Sequence, residues 1–227
     1  MRKTMLTAFC VSMLLTGVAA ASPLTDYSPG KVSLDINYSK QGIDFKQGEA
    51  EQSFNKKGNW DFAGTFGLGN KLAVQYAQAN TGPNPTTTYD QAGNLRDGYT
   101  DSYKLHTQQF NILYQLDKSF SIYTGMFRVD GTWTNYDLAK TYQSNTRNIW
   151  QFGVLGHTKL ADKLTGFAAL GIGKSLNTYH VGLGYAFAPN LEFNIIYDYK
   201  KVKGLYDEVG KYDITAKGMK YGITYKF

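Results

Sequence analysis

From Met219 to Phe227 the chain reads M-K-Y-G-I-T-Y-K-F, with a large apolar or aromatic residue at every second position. Met219, Tyr221, Ile223, Tyr225 and Phe227 form one row; Lys220, Gly222, Thr224 and Lys226 form the other. A period of two puts these rows on opposite faces of an extended strand. The same alternation recurs through the chain. Val32, Leu34, Ile36 and Tyr38 oppose Ser33, Asp35, Asn37 and Ser39, and Leu191, Phe193, Ile195, Tyr197 and Tyr199 oppose Glu192, Asn194, Ile196, Asp198 and Lys200. A chain patterned this way must build sheet, and each sheet must have one apolar face.

Tight polar turns separate the alternating runs. Leu68-Gly69-Asn70-Lys71-Leu72, Leu116-Asp117-Lys118-Ser119-Phe120, Leu160-Ala161-Asp162-Lys163-Leu164 and Phe187-Ala188-Pro189-Asn190-Leu191 each set small or polar residues between apolar ones. Gly and Asn accept positive φ, Asp and Ser bond nearby backbone, and Pro presets φ, so such sequences reverse a chain sharply. Further strands start or end at Trp60–Leu68, Leu72–Ala77, Phe110–Leu116, Phe120–Phe127, Trp150–Leu160, Leu164–Ile172 and Tyr179–Phe187, which brings the predicted total to ten, with eight as the competing count. None of the prolines (Pro23, Pro29, Pro83, Pro85, Pro189) interrupts a strand, as a ladder needing a donor at each residue requires. The other connections, residues 41–57, 81–102, 131–146 and 201–216, are long and polar, and 174–177 is short.

The apolar rows carry almost no charge, whereas Asp35, Asp61, Glu192, Asp198 and Lys220 all lie on the opposite rows. That separation suits an antiparallel transmembrane β-barrel, with apolar rows toward lipid and short periplasmic turns alternating with long extracellular loops. In hydrocarbon every backbone group must be paired internally, so such strands must close on themselves. A soluble barrel would invert the faces. The apolar rows are too bulky for a ten-stranded interior, the opposite rows are rich in Gly, Ala, Ser and Thr, and the aromatics gather at strand ends. Tyr38, Trp60, Trp150, Tyr179 and Tyr199 are predicted near one interface, and Phe120, Phe187, Tyr225 and Phe227 near the other, the depth amphipathic rings prefer.

The beginning of the chain has the layout of a secretory signal peptide over residues 1–21: Arg2 and Lys3, an apolar run from Met5 to Val18, then Ala19-Ala20-Ala21-Ser22. The run falls short of the roughly 20 residues a spanning helix needs. Cys10 is the only cysteine and lies inside that run, so residues 22–227 form a single predicted barrel domain without disulfides. Removing the leader leaves 22 of the 24 basic residues against 18 acidic ones, with no basic block of the kind that binds nucleic acid.

The C-terminal strand resembles the assembly signal of outer-membrane barrel proteins: a polar residue, a Gly two later, then aromatics third and fifth after it. Lys220, Gly222, Tyr225 and Phe227 hold those positions. The whole predicted barrel is similar to small porin-like outer-membrane proteins, and Ser22-Pro23-Leu24-Thr25-Asp26-Tyr27-Ser28 resembles the corresponding stretch in barrels of diderm Firmicutes. The resemblance implies location in the outer membrane, with its lipid and the barrel-assembly machinery as partners.

Lipid-deacylating barrels resemble one another in a His and a Ser two residues apart on one strand face. Here Gln108, Lys159 and Gly182 follow His106, His157 and His180 at that spacing. Asp97, Asp101 and His106 invite comparison with omptin-like proteases, but they also read as a polar loop entering a strand. Asp90-Gln91-Ala92-Gly93-Asn94 lacks the second acidic ligand and the Glu of a calcium loop. The sequence therefore predicts no catalytic site, cofactor or metal. Two functions remain open. In one, Asp35, Asn37, Asp61, Glu192, Asn194, Asp198, Lys200 and Lys220 line a narrow or plugged lumen passing small polar solutes or ions. In the other, the barrel is structural or acts through surface interactions. Eight strands leave room only for side chains and sixteen give an aqueous channel, so ten lies nearer the plugged end.

Overall fold

Polar turns bounded by apolar residues reverse the backbone where the sequence places them. In the Leu68–Leu72 turn, Asn70 and Lys71 both take positive φ, 51° and 68°. This is the signature of a hairpin turn whose twist matches the flanking strands. In the next turn Asp117 accepts a 2.7 Å hydrogen bond from the Ser119 backbone N–H.

The computed structural model describes residues 23–82, 86–89, 95–135 and 138–227. The leader with Cys10, Pro83 and Pro85, the Asp90–Asn94 segment and the side chains of Asp97 and Asp101 lie outside the described residues. The strands are β1 (Val32–Gln47), β2 (Ala50–Gly69), β3 (Leu72–Thr81), β4 (Thr86–Tyr89), β5 (Leu95–Gln115), β6 (Phe120–Asn135), β7 (Lys140–Gln143), β8 (Arg147–Ala161), β9 (Leu164–Gly173), β10 (Leu176–Ala188), β11 (Leu191–Asp207) and β12 (Gly210–Lys226). All pairings are antiparallel. β1 pairs with both β2 and β12, and β5 with both β3 and β6, so ten strands close into a barrel. β4 and β7 add short edges beside β5 and β6.

The long connections are mostly not coil. β1 continues to Gln47 and β2 begins at Ala50, and β11 and β12 are separated only by residues 208–209. At this end the barrel wall therefore extends well beyond the tight-turn half. The side chains change character along the way without changing parity. In β12 the inward positions are Thr224, Gly222 and Lys220, then Ala216, Ile214 and Tyr212, all six buried. Outward, Tyr225, Ile223 and Tyr221 give way to Lys217, Thr215, Asp213 and Lys211. Along β12 the tight-turn half is apolar outside and polar inside, and the long-hairpin half is polar outside and apolar inside.

The outward apolar belt is continuous around the tight-turn half. Ile36, Phe62, Phe110, Phe152, Leu183 and Ile223 are each about half exposed. Trp60 and Trp150, at 58% and 64%, mark its edge toward the long hairpins. There Tyr38 packs edge-on against Trp60 at 5.4 Å, and Tyr179 stacks on Tyr199 at 4.4 Å.

Candidate functional site

A ten-stranded barrel has a lumen, and what fills it decides what can pass. Three storeys of side chains fill this one.

At the tight-turn end the chain before β1 enters the mouth. Leu24 and Tyr27 are buried against Ala73, Leu113, Tyr123, Leu155 and Ala169. Tyr27 donates to Ser121 Oγ at 3.0 Å, Gln115 Nε2 donates to the Thr25 carbonyl at 2.9 Å, and the Gly69 N–H donates to the Tyr27 carbonyl at 2.8 Å. The segment thus forms an apolar stopper that hydrogen bonds hold to the wall.

The middle storey is polar. Lys220 Nζ lies 2.7 Å from Asp61 Oδ2 and 3.2 Å from Asp198 Oδ2, and Lys200 Nζ lies 3.3 Å from that same Asp198 oxygen. Gln41 Nε2 also donates to Asp198 and accepts at Oε1 from Thr81, at 2.9 Å. His180 Nδ1 sits 4.0 Å from Asp198 Oδ1. Two lysines and two aspartates make a neutral cluster, and all four side chains are at most 5% exposed. A cavity of about 20 Å³ beside Asn37, Asp61, His180 and Lys220 has room for one water.

Two further polar groups complete this storey. Thr224 donates to Asp35 and accepts from Asn194 Nδ2 at 2.7 Å. Across the lumen Gln151 Nε2 donates to Asn111 Oδ1 at 2.7 Å, Asn111 Nδ2 donates to Gln75 Oε1 at 3.1 Å, and Gln75 Nε2 donates to Thr65 Oγ1 at 3.3 Å. Glu192 pairs with Lys226 at 2.7 Å nearer the tight-turn end, where both are partly exposed. Gly222 makes part of this packing possible. A Cβ there would stand 2.0 Å from Asn37 Oδ1, so only glycine leaves room for the Asn37 amide.

The third storey, under the long hairpins, is apolar. Ile43, Phe54, Tyr103, Leu105, Phe127, Ile214 and their neighbours pack into one buried cluster spanning the barrel from β1 to β12. Tyr103 crosses the lumen over Gly131, where a Cβ would collide with its hydroxyl, and lies 3.2 Å, hydroxyl to hydroxyl, from Tyr212.

The positions named from the sequence can now be placed. Asp35, Asn37, Asp61, Asn194, Asp198, Lys200 and Lys220 point inward and are buried, and Glu192 is partly buried. Asp61, Asp198, Lys200 and Lys220 meet in one cluster; Asp35 and Asn194 meet through Thr224. Gly222 also faces the lumen, whereas Tyr225 and Phe227 face outward and pack edge-on at 4.6 Å. Gln41, Thr81 and the Leu24–Tyr27 stopper were not anticipated. His106 faces outward, its Nδ1 2.8 Å from Asn80 Oδ1.

No family model and no curated protein matches the chain. Among solved structures, the outer membrane protease OmpT from Escherichia coli superposes with a TM-score of 0.59, over 92% of this chain and 99% of that one, at 12% identity. The fold is that of an outer-membrane β-barrel. The attachment invasion locus protein Ail of Yersinia pestis (13% identity, 88% and 99% covered) and OprG from Pseudomonas aeruginosa (13%, 90% and 99%) match with TM-scores of 0.43 and 0.39. At such identities the likeness is one of fold, and the proteolysis in OmpT's name belongs to that protein.

Proposed function

We propose that this protein is a closed barrel of the outer membrane that acts through its extracellular face and does not pass solutes. One observation carries the reading: the lumen is filled along its length, with apolar clusters above and below a neutral ion-paired middle. An ion entering the middle storey would have to displace Tyr103 and Phe127 on one side or Tyr27 on the other. It would also separate buried charge pairs, and removing one partner of such a pair costs about 3–5 kcal/mol. A narrow polar pore lined by Asp35, Asp61, Asp198, Lys200 and Lys220 requires these layers to open together.

Delivery follows the same reading. The leader at residues 1–21 directs export, and the assembly machinery recognises the terminal strand through Lys220, Gly222, Tyr225 and Phe227. Outer-membrane lipid then surrounds the apolar belt. On this reading the long-hairpin half, polar outside and rigid within, projects beyond the membrane.

Planar-bilayer recording of the purified barrel tests the reading. Silence is expected across physiological voltages, and also when Tyr103 and Phe127 are both replaced by Ala, since the ion-paired middle and the Leu24–Tyr27 stopper remain. Steady conductance from the unaltered protein overturns it.

A further inference from the structure

The β9–β10 hairpin ends low. β9 stops at Gly173 and β10 starts at Leu176, while β8 begins at Arg147 and β11 runs on to Asp207. Above Ser175, β8 and β11 are therefore joined by turns and side chains. The Asn145 N–H donates to the Tyr206 carbonyl at 2.8 Å, and the Tyr206 N–H to Asn145 Oδ1 at 3.0 Å. Arg147 reaches across the same gap. Its Nη1 donates to the Lys203 and Gly204 carbonyls and its Nη2 to Ser175 Oγ, the last at 3.1 Å. These three acceptors are neutral, so the guanidinium is held in place while its charge stays uncompensated. Two of its five N–H donors have no acceptor among the described residues.

A second cation meets it. Lys203 and Gly204 form a bulge opposite Asp213, with Gly204 at φ 69°. A Cβ on Gly204 would stand 3.3 Å from Arg147 Nη1 and 3.6 Å from Lys211 Nζ, so the two charged groups border one small space over the glycine. Lys174, beside Ser175, and Lys201 and Lys203, on the strand that carries Gly204, add three more cations at partly or fully exposed positions. Among the described residues none of these four lysines forms an ion pair. The carboxylate of the bulge, Asp213, is turned onto the backbone, where it accepts from the Gly204 N–H at 2.9 Å. Like charges gathered this way repel one another, and a multivalent anion among them reverses the sign.

We propose that the Gly204 bulge is a binding site for a phosphate group, free or as a monoester. Its oxygens accept from the remaining Arg147 donors and from Lys211 Nζ, and Lys203 adds charge beside them. A carboxylate brings one charge and two oxygens, whereas a phosphate brings about two charges and three strong acceptors, which matches a fixed guanidinium set among lysines. The chemistry is the same whether the phosphate is in solution or carried by a membrane headgroup. The inference rests on the closed-barrel reading only for the orientation that sets this wall outside the membrane.

The test titrates inorganic phosphate calorimetrically into the full barrel in phosphatidylcholine nanodiscs, at constant ionic strength set with chloride, against empty nanodiscs. Saturable binding is expected. Lys211→Gln, at an exposed position, should weaken it about 3- to 10-fold, the worth of one net hydrogen bond. Lys56→Gln removes an exposed cation of β2 instead and should leave the affinity unchanged. Heat-modifiable gel migration checks that both variants still close. Heat no greater than that of empty nanodiscs, equal affinity in Lys211→Gln, or equal weakening in Lys56→Gln overturns the site. Nanodiscs containing phosphatidic acid, a monoester, or phosphatidylglycerol, a diester, at matched surface charge identify the source. Weaker phosphate binding with phosphatidic acid shows a headgroup competing for the site, and equal binding in both shows a site for the soluble anion. Conductance is recorded on the same preparation. A conducting barrel that binds phosphate removes the closed-barrel reading and leaves the site, and a silent barrel that does not bind removes the site alone.

Discussion

Lys220 on the last strand and Asp61 on the second meet inside the barrel, Nζ to Oδ2 at 2.7 Å, with β1 between their strands. Lys220 also reaches Asp198 on its own β11–β12 hairpin, at 3.2 Å, but Asp61 lies beyond β1. The contact exists only once β12 has closed against β1, so it reports closure directly. Lys220→Met should leave Asp61 and Asp198 with less compensation, destabilising the barrel by about 3–5 kcal/mol in urea unfolding from lipid. Lys220→Met with Asp61→Asn should recover part of that loss. A single variant as stable as the parent would show that the cluster contributes nothing measurable.

In the proposed outer-membrane barrel, the change in side-chain character along one strand face sets the height of the membrane. Ile195 on β11 faces outward inside the apolar belt, whereas Thr215 on β12 faces outward in the long-hairpin half. Ile195→Lys should cost roughly 2–4 kcal/mol of insertion, since it sets an ammonium among lipid tails. Thr215→Lys should insert like the parent, read as the heat-modifiable fraction after folding into vesicles. If both variants insert equally well, the belt is misplaced.

Outside the membrane, Asp44 accepts from Lys217 at 2.6 Å and from Ser53 at 2.8 Å. Partial burial pushes its carboxyl up, but the bonds from Lys217 and Ser53 outweigh that and hold it below the ordinary carboxylate value. A group whose pKa is depressed on folding stabilises above its unfolded pKa and loses that contribution as pH falls through the folded one. Lys217 is half exposed, so the pair is worth at most about 1 kcal/mol. The stability difference between the parent and Asp44→Asn should therefore be flat from about pH 5 to 8 and shrink below about pH 4. A difference that grows on acidification contradicts the assignment.

Phe227 and Phe187 are about equally exposed on the barrel wall, 56% and 49%, so lipid contact treats them alike. As an interfacial ring, either contributes at most about 1.5–3 kcal/mol. Phe227→Ala should lower assembly in cells far more than refolding in detergent, while Phe187→Ala should lower both about equally. Equal defects in cells would remove the recognition role given to Lys220, Gly222, Tyr225 and Phe227.

Which side of each strand faces out of the barrel was legible in the sequence, because alternation is a local property. Ile36 and Asn37 must face opposite ways whatever their neighbours do, and an aspartate at position 35 or 61 cannot face hydrocarbon cheaply. The reversals at Asn70-Lys71 and Asp117-Ser119 were legible for the same reason, since turn preference resides in the turn residues themselves. What the inward residues do was not legible. Asp61, Asp198, Lys200 and Lys220 read as four lumen charges, but whether they line an open path or neutralise one another depends on register across β1, β2, β11 and β12. Gly222 read as part of a terminal signal, and only the β1–β12 pairing shows that its missing side chain makes room for Asn37. The long polar connections concealed strand because their apolar residues, Ile43, Phe45, Tyr212 and Ile214, occupy inward positions there. A periodicity read from sequence reports that one face is apolar but not which solvent lies beyond it. Leu24 and Tyr27 precede any alternating run and carry no local sign of their destination. Closure of the barrel created the mouth they fill.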